Sequence, residues 1–345
     1  MRTKAAVLYE INKPLIIEDL EIPELKPGQV LVKIAYSGVC HSQLNEIQGL
    51  KGEDKFLPHV LGHEGSGTIE AVGPNVNKVK LNEPVILSWI KGKGLDVPST
   101  TYQGSSGTTI NSGAIATFME YAVASENRVT PIRKDMPLDK AALLGCAVAT
   151  GAGAVINTAK AEPGSKVAVF GTGGIGLCAI QAATLVGAAK VIAVDIYEHK
   201  LRLAGDFGAT DTINASNQDP VSVIKDLTDG KGADYAIEAT GIKEVMEQAF
   251  LSVRDNGGTA VIVGNPPHQQ RISIDPFALI CGKRIVGSWG GDTNPERDFP
   301  HYADLYLAGK LKLDELLTHR FQLEDIDLIF LALQKGDVGR AIIEF

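Results

Sequence analysis

The chain has 345 residues, enough for two domains and a large buried core. Hydrophobic residues make up 44% and charged residues 21%, ordinary for a globular protein, and no stretch has the composition of a disordered tail. A formal net charge of -8 argues against nucleic acid or an anionic membrane surface as partner. The opening MRTKAAVLYE lacks the continuous apolar core of a signal peptide, so a cytoplasmic location is expected, and four cysteines are too few for a disulfide framework.

Residues 1–147 read as mostly β. Alternating or apolar runs at KAAVLY, PLIIEDLEI, QVLVKIAY, GSGTIEAVG, EPVILSW and TFMEYAVA are separated by Pro and Gly turns such as Lys26-Pro27-Gly28, which suggests a compact barrel. Residues 91–114 are rich in Gly, Ser and Thr with little periodicity and read as a surface loop. From Leu138 the spacing is helical, broken by Gly151 and Gly153.

Within this first part, Cys40 and His41 stand in GVCHS, His63 and Glu64 in GHEGSG, and Cys146 in LLGCAVATG. Two thiolates and an imidazole form a soft three-ligand set that leaves a fourth tetrahedral position open, as a catalytic zinc requires. Against this stands the ordinary role of a buried cysteine as a small hydrophobe, the role assigned to Cys178 and Cys281 in their apolar runs. His59, His199, His268, His301 and His319 have no ligand spacing.

Residues 148–289 read as a doubly wound α/β domain. Val167–Phe170 form a buried strand, and Gly171, Gly173 and Gly176 spell G-x-G-x-x-G, which serves the tight turn, the close approach of a pyrophosphate and the packing of helix on sheet. Gly174 and Ile175 open the following helix, whose N-terminal N–H groups and dipole favour an anion. Asp195 ends the next strand, nineteen residues after Gly176, where a carboxylate accepts both hydroxyls of an adenosine ribose and repels a 2′-phosphate; NAD is therefore favoured over NADP, with Lys200 near the other ribose oxygens. The uncharged run from Val167 to Ala189 is long enough for a membrane span, but its glycines and its division into strand, turn and helix lengths argue against one. Helices at VSVIKDLTDG and EVMEQAFLSV alternate with strands at ADYAIEATG and TAVIVGNPP, and ISIDPFALICGKRIVGSW adds two short apolar segments. Residues 290–345 change to helical turns around PHYADLYLAGKL and LEDIDLIFLALQKG and a terminal strand GRAIIEF, a tail expected to rejoin the first domain.

GVCHS, VLGHEGSGTIEAVG, LLGCAVATGAGAVINTA, VAVFGTGGIGLCAIQAA, VIAVDIYEHK, VIVGNPP and the terminal GDVGRAIIEF together resemble the zinc-dependent alcohol dehydrogenases of the medium-chain dehydrogenase/reductase superfamily, most of all the animal-type and glutathione-dependent formaldehyde dehydrogenase branch. The resemblance implies a GroES-like catalytic domain beside a Rossmann domain, with the active site in the cleft between them. It carries over Cys40, His63 and Cys146 as zinc ligands, Glu64 as an occasional ligand or a carboxylate beside the metal, and Ser42 as the hydroxyl that passes on the alcohol proton. Thr150 and the backbone at Val263 and Ser288 fall where the family holds nicotinamide, His41 and Arg340 where it holds pyrophosphate, and Trp89, Asn265 and Trp289 at substrate-pocket positions. Asn265 there suggests a polar, polyol-like or sugar-like alcohol.

Three departures bear on the transfer. Residues 91–114 contain no cysteine where the branch carries a structural zinc lobe, so one catalytic zinc per chain is expected; Gln43 replaces the acid that orients the ligating histidine; and Asn45 replaces the histidine ending the proton relay. The competing readings are a zinc-free quinone or enoyl reductase of the same superfamily and a non-catalytic NAD-sensing protein. The apolar RIVGSW near the sheet edge suggests a homodimer, with a tetramer as the alternative.

Overall fold

The computed structural model describes residues 1–336 and 338–345; Asp337, inside the terminal motif, lies outside the described residues. Among these the chain divides into two compact units, Met1–Cys146 with Asn294–Phe345, and Ala147–Thr293. The boundary near the end of the second unit falls a few residues beyond the expected 289/290 because Gly290–Asp292 pack tightly within that unit: a Cβ on Gly291 would stand 2.1 Å from Ala149 O.

The first unit is built from short strands whose inward positions are apolar. β1 (Arg2–Leu8), β2 (Ile16–Glu21), β3 (Gln29–Val39) and α1 (His41–Ile47) are followed by β4 (His59–Val60), β5 (Glu64–Val72) and β6 (Pro84–Ser88). β7 (Thr101–Gln103) and β8 (Thr109–Asn111) then precede β9 (Tyr121–Ser125), β10 (Val129–Pro131) and α2 (Leu138–Leu143). β1, β2, β7, β8 and β4 close a barrel, and β10, β6, β5 and β3 continue into a second sheet. Ala5, Leu8, Val30, Ile69, Leu87 and Phe118 share one core.

The stretch 91–114 is therefore only partly a loop. Its two short strands pair from Thr101↔Asn111 to Gln103↔Thr109 and bury Tyr102 and Ile110, whose neighbours in each strand face outward. Three-residue strands with one inward side chain each leave too little alternation to detect in sequence.

Glu126 holds the adjoining backbone through its carboxylate. Its Oε1 accepts from Asn77 N and Lys78 N, both at 2.6 Å, and its Oε2 from Leu95 N at 2.9 Å. Burial opposes the charge, but these backbone donors outweigh it and hold the carboxyl below its usual range.

The helical run that leaves this unit is not broken at its glycines. α2 passes through a π-helical stretch, Leu144–Val148, into α3 (Ala149–Gly153) and a second π-helical stretch, Ala154–Ala159. Gly151 and Gly153 instead permit close packing, since a Cβ would meet Ile175 O at 2.2 Å and Gly291 O at 2.3 Å respectively. Leu138–Ala159 is long and apolar enough to cross a membrane, but its apolar window is 83% buried inside the protein, as expected of a core helix.

The second unit continues with β11 (Lys166–Phe170), α4 (Gly174–Leu185), β12 (Lys190–Asp195), α5 (Glu198–Asp206), β13 (Asp211–Asn214) and α6 (Pro220–Leu227). β14 (Tyr235–Glu238), α7 (Lys243–Ser252), β15 (Thr259–Ile262), α8 (Pro276–Ile280) and β16 (Arg284–Gly287) complete it. The sheet order is β13-β12-β11-β14-β15-β16, all parallel, the doubly wound dinucleotide-binding order with its switch point between β11 and β14. Val167–Ala189, weighed above as a span, is thus strand, turn and helix. Cys178 is buried as expected, but Cys281 is only half-buried, because it caps α8, a helix that buries none of its own residues.

The returning segment adds α9 (Pro295–Leu307), β17 (Leu317–Gln322), α10 (Ile326–Lys335) and β18 (Arg340–Glu344) to the first unit. β18 lies antiparallel to β3 from Ala341↔Val39 to Glu344↔Tyr36, so the last strand reaches the end of β3 that precedes Cys40. β17, which the sequence reading did not single out, pairs parallel with β18.

Glu126→Gln is expected to lower stability at neutral pH by about 1–3 kcal/mol, the scale for hydrogen bonds to a buried charged acceptor. Because the folded carboxyl titrates lower than the unfolded one, its contribution is present above the unfolded pKa and fades as pH falls through the folded pKa. Urea denaturation at pH 7 and near pH 3 checks this: the wild-type advantage shrinks in acid, and an equal gap at both pH values would contradict it.

Candidate metal and nucleotide sites

β3 ends at Val39, and Cys40 follows as the N-cap of α1 with an extended backbone (φ −115°, ψ 148°). Its N–H donates to Gln43 Oε1 at 2.7 Å, while Gln43 Nε2 lies 2.9 Å from His63 Nδ1. A single buried amide thereby fixes the backbone at Cys40 and the ring of His63. Cys146 comes from the π-helical stretch after α2, and Gly145 beside it lies flat on β6: its carbonyl accepts from Ser88 Oγ at 2.6 Å, and a Cβ there would stand 2.6 Å from Leu87 O.

The Sγ atoms of Cys40 and Cys146 and a ring nitrogen of His63 lie within 4.8 Å of one another. Both cysteines are buried, and His63 Nε2 is buried with no hydrogen-bond partner. A hydrogen bond from Cys146, assisted by the charge of Arg340 and by His63, pulls the Cys40 thiol well below its usual range. That same bond, with burial and the charges of Cys40 and Glu64, pushes Cys146 up. Two soft sulfur donors and a buried imidazole nitrogen without a hydrogen-bond partner fit a tetrahedral zinc with an open position.

Glu64 and Arg340 complete the buried charge. Arg340 is 5% exposed, its Nη2 is 3.1 Å from Glu64 Oε1, and its Nη1 donates to Val39 O at 3.0 Å. Glu64 has room because residue 38 is glycine; a Cβ there would lie 2.6 Å from its carboxyl carbon. Cys40, His63 and Cys146 are the set that could hold a metal ion, with Glu64 paired to Arg340 beside it. Trp89 N donates to His63 O at 2.9 Å, and the two rings meet edge to face at 6.4 Å. On α1, Ser42 is half-buried and His41 exposed. Sequence reading missed Gly38, Gly145 and Ser88; the only signal for them was adjacency to the ligands and to β6.

In the second unit the fingerprint glycines divide their roles. Gly171 has φ +86°; Gly176 must lack a Cβ, which would stand 1.8 Å from Gly171 O; and at Gly173 a Cβ would meet nothing within 4 Å, the open approach a pyrophosphate needs. Gly174 and Ile175 form the first turn of α4. Asp195 accepts from Thr172 N at 2.8 Å and Thr172 Oγ1 at 2.9 Å through one oxygen, and from Ile196 N at 2.8 Å and Tyr197 N at 3.1 Å through the other. Lys200 Nζ lies 5.1 Å from the centre of the Tyr197 ring.

Thr150 Oγ1 is buried without a hydrogen-bond partner. Val263 N donates to Glu238 O at 2.9 Å and Ser288 N to Ile262 O at 3.0 Å, so the group either residue can offer a ligand from its backbone is the carbonyl. Asn265 is exposed, its backbone against Gly241, and Trp289 is 79% exposed.

Two family profiles match this chain: an alcohol dehydrogenase GroES-like domain over residues 26–134 and a zinc-binding dehydrogenase over residues 174–308. Among characterised relatives it is 36% identical to an alcohol dehydrogenase class-3 of Dictyostelium discoideum, over 99% of this chain and 97% of the relative. It is also 36% identical to an S-(hydroxymethyl)glutathione dehydrogenase of Paracoccus denitrificans, over 99% and 100%. Among solved structures, a benzyl alcohol dehydrogenase of Acinetobacter calcoaceticus superposes with a TM-score of 0.90 at 32% identity, covering 100% of this chain and 99% of that one. Fold and ligand cluster define a two-domain zinc-binding oxidoreductase. The chain belongs to the zinc-dependent alcohol dehydrogenase family.

With Oε1 of Gln43 taken by Cys40, the amide NH2 faces His63 Nδ1 and makes it an acceptor, which puts the ring proton on Nε2, the nitrogen a metal needs bare. Gln43→Asp, which would instead accept an Nδ1–H, is expected to slow zinc loss to a chelator about tenfold or more. Release followed with a colorimetric zinc indicator checks this, and unchanged or faster loss would contradict it.

Proposed function

We propose that this protein is an NAD-linked dehydrogenase with one catalytic zinc and no structural zinc, converting polar, polyol-like or sugar-like alcohols to the aldehyde or ketone in the cytoplasm. The observation that carries the reading is the buried Cys40, His63 and Cys146 set with an unpartnered Nε2. A zinc-free quinone or enoyl reductase has no use for such a set, and no relative named above supports a sensor.

When bound, zinc supplies Lewis acidity that lets an alcohol lose its proton near neutral pH. The chain's own residues supply the rest. Gln43 holds the His63 ring, and the Glu64–Arg340 pair sets the charge around the ligands. Ser42 Oγ, two residues past Cys40, is the hydroxyl available to take the alcohol proton. Asn45 cannot titrate near neutral pH, so of the residues beside Ser42 on α1 it is His41, exposed to solvent, that could pass the proton on to water.

NAD is preferred because the Asp195 carboxylate, oriented by four donors, presents a negative charge where a 2′-phosphate would come. The proposal of a single zinc is supported by the cysteine-free stretch 91–114, where paired strands and Glu126 hold the backbone. A homodimer, or a tetramer built from it, is supported by β16, an edge strand among the described residues, flanked by exposed Phe277, Ile280 and Trp289.

A panel of benzylic, aliphatic, polyol and sugar alcohols and S-(hydroxymethyl)glutathione, with NAD and zinc-loaded protein, is expected to give NADH, with the highest kcat/KM on a polar alcohol. No NADH from any member would sink the reading; a best rate on an unsubstituted alkyl alcohol would sink only the substrate class. Asp195→Ser is expected to raise NADP use relative to NAD about tenfold or more, ~1.4 kcal/mol, measured as the ratio of kcat/KM values.

A further inference from the structure

We infer that Glu238, the last residue of β14, is a positioning residue for the dinucleotide: its buried carboxyl joins the turn after β11 to the loop after β15. The inference rests on the reading of the second unit as an NAD-binding domain. β14 lies between β11 and β15, with Glu238 paired to Phe170 on one side and to Ile262 on the other. That is the switch point of the sheet, beside the crevice where a doubly wound fold holds its ligand.

Glu238 is fully buried, and among the described residues it has no ion-pair partner. Its two oxygens are treated unequally. Oε1 accepts from Thr240 N at 2.6 Å, from Gly241 N at 2.9 Å and from the Thr240 hydroxyl, whereas Oε2 is buried with no hydrogen-bond partner. Burial pushes the carboxyl above its usual range, and the donors on Thr240, Gly241 and Gly264 offset this only in part. For stability alone, an apolar side chain would fill the same place without desolvating an acid and leaving one of its oxygens bare. What the acid adds is an acceptor for the N–H groups of the loop that follows β14.

That loop touches both of its neighbours. The Thr240 hydroxyl donates to Glu238 and accepts from Ile242 N at 3.1 Å, which fixes the methyl of the same side chain against the pyrophosphate turn: a Cβ on Gly171 would stand 2.6 Å from Thr240 Cγ2. On the other side, Val263 N and Gly264 N donate to Glu238 O at 2.9 and 3.0 Å. A Cβ on Gly264 would lie 2.1 Å from Gly241 N and 2.7 Å from Glu238 Oε2, so the backbone after β15 rests directly on the carboxyl and its loop. Without the carboxyl, Thr240 and Gly241 lose their acceptor and both turns are freed, while the strands keep their own backbone bonds. The cost falls on cofactor binding, which is shared by ground and transition states, and so on KM rather than kcat.

The test uses the zinc-loaded enzyme titrated with NADH and followed by nicotinamide fluorescence, together with steady-state rates in NAD. Glu238→Leu is expected to raise the Kd for NADH and the KM for NAD about tenfold or more, with kcat within about threefold and zinc content unchanged. Glu238→Gln keeps an oxygen for the same donors and is expected to bind NADH at least about threefold more tightly than the Leu variant. Should the Leu variant fail to fold, Thr240→Val tests the same link, because it keeps the shape of the side chain but not its bond to the carboxyl; binding weaker by about threefold or more is expected. A Leu or Val variant that binds NADH as the wild type does, a fall in kcat with KM unchanged, or a Gln variant no better than Leu would overturn the inference. Wild-type protein that binds no NADH would sink the dinucleotide reading, and the inference with it.

Discussion

The first unit depends on a balance of buried charge. Cys40, Cys146 and Glu64 bring three acidic groups into an interior of aliphatic strands, and Arg340 is the one guanidinium among them. Unpaired charge at that depth is costly enough that the groups would neutralise rather than stay ionised. With both sulfurs ionised, Arg340 and a divalent ion together cancel the two thiolates and the Glu64 carboxylate, and the buried charge falls to zero. A divalent ion is thus what the charge balance of this set calls for.

That requirement explains local choices that otherwise look arbitrary. Glycine at 38 makes room for the Glu64 carboxylate, and glycine at 145 lets the π-helical stretch lie on β6 so that Cys146 faces Cys40. The last strand of the chain runs along β3, which delivers Arg340 to the partner it neutralises. A residue three hundred positions from Cys40 thus stands beside the candidate metal ligands, and the discontinuous first unit is what brings it there.

The two halves of the protein were unequally legible in the sequence. In the second unit, strand period, glycine spacing and an acid at the right distance are local signals, so the parallel sheet and the roles of Gly171, Gly173, Gly176 and Asp195 follow from a few dozen consecutive residues. In the first unit the candidate ligands are spread over more than a hundred positions, and only their resemblance to a known family joined them. The strands at Thr101 and Thr109 escaped because one buried residue each makes no periodic pattern. Gly151 and Gly153 were misread as breaks because a glycine that lets two backbones touch has the same letter as one that ends a helix.

The most direct test of the charge-balance account is zinc K-edge X-ray absorption on the purified protein together with its metal content. The account predicts one zinc per chain with two sulfur neighbours at about 2.3 Å and a histidine nitrogen at about 2.0–2.1 Å. A shell without sulfur, a four-sulfur shell, or protein that folds fully and holds no zinc from zinc-supplemented buffer would contradict it.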